Sequence, residues 1–158
     1  HSQAARGVSE QLVADRELLG WAAELAEIGL SISHEDFHKH SSYILTHADM
    51  PGFSQSEQQR MARLTLGLGR GLRKSRSVVS EPEDWLMLLC LRIASILHRR
   101  REELDTPLPA VFVKRNRVRI EMPRQWALGH PLSDESLRIE AAAWNELGPF
   151  EEVSYQTL

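Results

Sequence analysis

The chain has 158 residues, a formal net charge of −3 and 26% charged side chains, so as a whole it is not a general polyanion binder. Hydrophobic residues make up 42%, which reads as a soluble globular chain with one well-buried core and room for a small appendage. No apolar run approaches the roughly 20 residues that span a bilayer, and no signal peptide is visible. The single cysteine, Cys90, excludes a disulfide within one chain and points to a reducing, cytoplasmic compartment.

The first hundred residues carry helical patterns. Val8, Leu12 and Leu19 with Trp21 mark a first amphipathic helix, which ends near Gly20 or runs on through "WAAELAEIG" to a stop at Gly29. Ser33 with Asp36 has the spacing of an N-terminal capping pair and opens a second helix to about Thr46. "DMPGF" is a turn, because proline and glycine together break a helix. Ser54 with Glu57 forms a capping box for a third helix, whose stripe is Met61, Leu64, Leu68 and Leu72. Ser80 with Glu83 repeats the box, with Pro82 tolerated in the first turn. That fourth helix carries Trp85, Leu86, Leu89, Ile93, Ile96 and Leu97 before "DTPLP" stops it.

After Pro109 the period changes from 3.6 to 2. "AVFVKRNRVRIEM" alternates apolar and polar residues about Arg115–Asn116, the pattern of a β-hairpin. "SDESLRIEAAAWNELG" reads as a capped helix ending at Gly148, and "EEVSYQTL" as a short closing strand. The expected architecture is mainly α: a helical domain over residues 1–105, then a small α+β domain over 106–158.

Charge is clumped despite the modest net value. "RGLRKSR" holds Arg70, Arg73, Lys74 and Arg76; "HRRR" holds Arg99, Arg100 and Arg101; "KRNRVR" holds Lys114, Arg115, Arg117 and Arg119. These runs carry eleven of the nineteen Lys and Arg. Local potential steers a polyanion to a groove, although any single run also reads as a solvated surface. Aromatics make up only 6% of the chain, and none lies in the runs. Bases need stacking platforms, so cations without them fit a partner made of phosphate alone and not nucleic acid.

"SHEDFHKHSSYILTHADMPGF" gathers His34, His38, His40 and His47 with Glu35, Asp36 and Asp49. On a helix, His34 and His38 share one face while His40 and His47 share another with Tyr43 and Ile44, so one ion cannot take all four. The segment also lacks H-E-x-x-H spacing and a cysteine pair. Its histidines are read as core, solvated or phosphate-donating groups. "GLGRGLRKS" is not a P-loop; its glycines thin or kink a helix so that another segment packs closely. Ser41 and Ser42 lie outside any G-x-S-x-G elbow, and Cys90 reads as a buried, inert thiol.

The run "FHKHSSYILTHADMPGFSQSEQQRMARLTLG" resembles the C-terminal half of the exopolyphosphatase / guanosine pentaphosphate phosphohydrolase family. The similarity rests on His38, His40, Ser41, Tyr43, Ile44 and Leu45, then Asp49 to Phe53, then Glu57 and Gln58. The resemblance implies a helical region similar to HD-domain phosphohydrolases, a small α+β domain after it, and actin-like domains elsewhere in a parent chain where phosphate chemistry occurs. It implies that the parent uses a divalent cation, Mg2+, and that this region, without the glycine-rich phosphate loops, has no cofactor and is not itself catalytic. An HD centre would need ligands where this chain has Ala26 and Ser95, leaving His38 or His40 nearly alone, so no metal site is expected. The expected function is an accessory region of an exopolyphosphatase that binds inorganic polyphosphate through Arg70, Arg73, Lys74, Arg99, Arg100, Arg101, His38 and His40, and that contributes to a homodimer. The alternatives are a metal-dependent HD-type phosphohydrolase and a pure dimerisation module.

Overall fold

The computed structural model describes residues 2–69, 71–98 and 107–158. The chain divides into two compact units that meet between Leu91 and Arg92. The boundary expected at 105/106 lies outside the described residues.

The first unit begins with α1 (Ser2–Leu25), which buries Leu18 and Ala22. α1 runs through Gly20 and ends at Leu25, short of the expected stop at Gly29. Gly29 instead sits in a short 3-10 turn, Ile28–Ser31, pressed against α2 (Phe37–His47). A Cβ on Gly29 would lie 2.2 Å from the Phe37 carbonyl oxygen and 2.5 Å from the Ser41 nitrogen, so only glycine permits this approach. Ser41, fully buried, fastens the contact: its hydroxyl donates to the Ala26 carbonyl at 2.8 Å and accepts the Gly29 N–H at 2.8 Å.

The expected Ser33–Asp36 capping pair does not form. Asp36 occupies the N-cap in a left-handed conformation (φ 53°), away from the extended backbone of a capping residue, and makes no side-chain cap; its carboxylate accepts from Lys39 Nζ at 2.9 Å. Ser33 accepts from the Glu35 N–H instead. The turn at Pro51–Gly52 is present, with Gly52 at φ 97° and the Phe53 N–H bonded to the Met50 carbonyl. α3 (Gln55–Gly67) opens on a closed capping box: Glu57 N–H to Ser54 Oγ, and Ser54 N–H to Glu57 Oε2 at 2.7 Å. α3 ends at Gly67, so the expected stripe is broken, and Leu72 belongs to a second 3-10 turn, Leu72–Ser77. Gly67 packs on Leu88 of α4 (Pro82–Leu97), where a Cβ would come within 2.8 Å of the leucine methyl group. The second box does not close, because the Ser80 hydroxyl donates to Glu81. Arg60 on α3 ties three helices, donating to Asp15 of α1 at 2.5 Å and to Asp84 of α4. Burial works against its charge, but these two carboxylates prevail and raise the guanidinium pKa.

The second unit takes in the last residues of α4 with β1 (Ala110–Lys114), β2 (Arg117–Met122), α5 (Arg124–Gly129), α6 (Pro131–Leu147) and β3 (Glu152–Thr157). The hairpin forms as the alternation predicts, with Lys114 opposite Arg117 and antiparallel register throughout. β3 pairs parallel to β2, giving the order β1-β2-β3. α6 starts at Pro131, earlier than its apparent cap residues, and ends on Gly148 at φ 78°. α5 was not legible as a helix, because six residues are too few for periodicity. Val118, Ile120 and Met122 are buried, as are Leu137, Trp144 and Val153. Arg92 joins this unit through a bidentate pair with Glu140, whose other donor is Trp144 Nε1 at 2.9 Å.

Gly29→Ala is expected to destabilise the chain by about 3 kcal/mol through overpacking against backbone, and Ser41→Ala by about 2 kcal/mol by stranding a buried donor and acceptor; urea unfolding checks both. The Ser54 backbone N–H and hydroxyl hold the Glu57 carboxyl below its ordinary value. A depressed folded-state pKa stabilises above the unfolded value and is lost as pH falls through the folded one. The difference in Tm between the natural chain and Glu57→Gln should therefore be present at pH 7 and vanish at strongly acid pH.

Candidate functional site

One cleft of the first unit, about 650 Å³, lies between the approach to α2 and the segment that follows α3. One side is His34, Glu35, Asp36, Phe37, His38 and Lys39; the other is Leu66, Leu68, Gly69, Gly71, Lys74, Ser75, Ser77 and Val78. Two local conformations make it. The left-handed Asp36 turns the chain sharply into α2, and its own side chain makes no cap bond to that helix. A helix start offers backbone N–H groups and the positive end of the dipole. Opposite it, Gly69 stands against His38, where a Cβ would sit 3.5 Å from His38 Cβ, and Gly71 adopts φ 69° before the 3-10 turn that carries Lys74.

The cleft brings His38 and Lys74 together from segments more than thirty residues apart. His38 is half-buried and tilted against Phe37, with ring centroids 3.8 Å apart. Lys74 is exposed, and among the described residues its ammonium makes no ion pair. Arg73, also exposed, shares the 3-10 turn but does not line the cleft; His40, half-buried on α2, does not line it either. Arg70, Arg99, Arg100 and Arg101 lie outside the described residues. The described lining is balanced in charge, Glu35 and Asp36 against Lys39 and Lys74. Phe37, Leu66, Leu68 and Val78 make part of the wall apolar.

The third basic run is less available than its sequence suggests. Arg117 pairs with Glu151 at 2.5 Å and approaches Glu152 at 3.9 Å, while Arg119 pairs with Glu121 at 2.9 Å and covers the Phe112 ring at 4.8 Å. The bond to Glu151 raises the Arg117 pKa and lowers that of the glutamate. Lys114 and Arg115 remain exposed at the hairpin turn. Local pairing thus neutralises half of this run; the partners of Arg117, Glu151 and Glu152, lie more than thirty residues on, at and just before the start of β3, whereas Glu121 sits on the same strand as Arg119.

Among the described residues, no group of three or more His, Cys, Asp or Glu stands close enough to hold a metal ion. Ala26 is buried with its carbonyl engaged by Ser41, and Ser95 is exposed on α4. Among the described residues, no metal-holding cluster therefore forms around His38 or His40. Ser41 is no nucleophile, since both its lone pair and its proton are committed inside the fold. The Tyr43 ring stacks on His47 at 4.3 Å, and His47 Nδ1 lies 2.9 Å from the Tyr43 carbonyl oxygen. The histidine-rich stretch is thus divided: Ser41 packs, His38 faces the cleft, and His47 turns back on its own helix. No helix among the described residues is long and apolar enough to cross a membrane.

The family model described as Ppx/GppA phosphatase, domain III, matches residues 2–141. Curated proteins similar to this chain include the guanosine-5'-triphosphate,3'-diphosphate pyrophosphatase of Pseudoalteromonas translucida, 37% identical over 135 residues that cover 83% of this chain and 27% of that protein. The enzymes of the same name from Photobacterium profundum (32% identical, 78% and 25% covered) and Vibrio vulnificus (29% identical, 83% and 27% covered) are also similar. The chain spans about a quarter of the length of these relatives.

Burial pushes the Cys90 thiol up from its ordinary value. A disulfide-exchange reagent at pH 8 is expected to label the native chain at least tenfold more slowly than the urea-unfolded chain; fast native labelling would assign Cys90 a reactive role.

Proposed function

The chain belongs to the Ppx/GppA phosphatase family, matching its domain III, and on that premise we propose that it serves as a C-terminal accessory region of a phosphohydrolase of that family. In this reading it holds an inorganic polyphosphate chain and takes part in a homodimer, while hydrolysis belongs to actin-like domains of a parent chain that use a divalent cation, Mg2+, in the cytoplasm. The helical part, residues 1–105, does the binding, and residues 106–158 form the α+β domain.

The observation that carries the binding reading is the cleft with His38 on one side and Lys74 on the other, at the start of α2. Donors of this kind suit phosphate oxygens. Arg70, Arg73, Arg99, Arg100, Arg101 and His40 are proposed as further phosphate donors on the strength of their clustering in the sequence. The relatives are named for guanosine 5'-triphosphate 3'-diphosphate; that nucleotide shares the phosphoanhydride unit of polyphosphate, so the same donors serve either ligand.

The test is a titration of the chain with polyphosphate at several salt concentrations. Counterion release makes log K fall linearly with log salt for a linear polyanion. The double variant Arg73→Glu, Lys74→Glu should weaken binding about a hundredfold at low salt, each lost charge-assisted contact being worth about 1.5 kcal/mol, and should flatten the salt slope. Absence of binding at low salt would sink the polyphosphate reading and leave a dimerisation module. Stoichiometric Mn, Fe or Zn in purified protein would instead favour a metal-dependent HD-type hydrolase.

A further inference from the structure

We propose that the open edge of β1 is a homodimer interface, where β1 pairs antiparallel with the same strand of a second copy about a two-fold axis at Phe112. The inference rests on the homodimer in the function proposed above and names the surface that forms it.

β1 is an edge strand, and all five of its residues are exposed. Natural edges are usually guarded by charges, proline, a bulge or a cover. This one reads Ala-Val-Phe-Val-Lys, with one charge at its end and an unbroken register against β2. Val111 is 37% exposed, Phe112 48% and Val113 49%. Val111 and Val113 stand opposite Ile120 and Val118, which are buried. The apolar layer of the unit therefore continues past its covered part to the open edge.

Backbone geometry fixes which groups are free. The hairpin turn has two residues, Arg115 and Asn116, with Arg115 at φ 55°. In such a hairpin the closing pair, Lys114 and Arg117, is hydrogen-bonded, and bonded pairs then alternate along the ladder. Ala110, Phe112 and Lys114 therefore direct their N–H and C=O groups to β2, while Val111 and Val113 direct theirs outward. Among the described residues, nothing pairs with those outward groups.

One register satisfies them. With Val111 opposite the partner's Val113, and the reverse, each pair exchanges both N–H···O bonds. A two-residue slip one way places Val113 against Pro109, which has no N–H. The opposite slip places Val111 against Arg115 of the turn. An odd shift sets outward groups against inward ones. The satisfied register is its own two-fold image, as an isologous interface requires. It sets Lys114 opposite the partner's Ala110, so no like charges face each other. It also sets Phe112 beside the partner's Phe112 as a close non-hydrogen-bonded pair, with Arg119 already over the ring.

The experiment is light scattering and sedimentation of the chain across a concentration series, for the natural sequence and for Val111→Pro. Proline at 111 removes an outward donor and leaves the β1–β2 bonds in place. A dimer is expected for the natural chain, with dissociation at least tenfold easier in the variant at unchanged circular dichroism. In case the proline variant unfolds, Phe112→Cys in a Cys90→Ala background provides a second measurement. The non-hydrogen-bonded Cα spacing of about 4.5 Å suits a disulfide, so mild oxidation should give a covalent dimer, and Val111→Cys should not. A dimer that neither dissociates with Val111→Pro nor crosslinks at position 112 overturns the interface and leaves the homodimer reading intact. A monomeric natural chain overturns both, while polyphosphate binding stands or falls on its own titration.

Discussion

The contact between Gly29 and Ser41 sets the geometry of everything around the cleft. A 3-10 turn and the start of a helix meet at backbone distance, which only a missing Cβ allows, and one hydroxyl closes both open backbone groups at the junction. That fixes where α2 begins and therefore where His38 stands. The cost of disturbing a buried, fully satisfied polar contact exceeds that of losing an exposed one. The serine of the histidine-rich stretch consequently matters more to the architecture than its histidines do.

A second tie works at longer range. Arg60 draws α1 and α4 onto α3 through two carboxylates, one of them nearly buried. Such pairs stabilise weakly in net terms but are costly to break on one side. Gly67 lets Leu88 close on the end of α3, and the 3-10 turn Leu72–Ser77 carries Lys74. The two walls of the cleft are thus held by different devices, a serine junction under one and a glycine approach under the other.

The second unit solves a different problem. Its sheet buries one face through β2 and β3 and ties α6 down with Arg92–Glu140–Trp144 and with the Tyr155 hydroxyl on Asp134 at 2.6 Å. Burial, then that bond to Asp134, raises the Tyr155 pKa, so the phenol stays protonated and acts as a fastener. Among the described residues no strand pairs with the outer edge of β1, and that strand is apolar where edges are usually charged.

Much of this was written in short-range pattern. The Ser54–Glu57 box, the turn at Pro51–Gly52, the hairpin about Arg115–Asn116 and the Gly148 stop are legible because caps and turns are decided within a few residues. The family was legible too, since the run from His38 to Gln58 is long and specific and the domain III match covers it. Tertiary structure decided the rest. Asp36 makes no cap from its left-handed backbone; Gly29 is a packing glycine and not a helix stop because α2 folds back on it. Arg117 and Arg119 lose their freedom to glutamates on their own and a neighbouring strand, and His38 meets Lys74 only when two separate segments come together. The contacts of Gly29 with α2, of Arg117 with Glu151 and of His38 with the Lys74 side of the cleft each depend on a partner chosen by packing in three dimensions, which local periodicity does not encode.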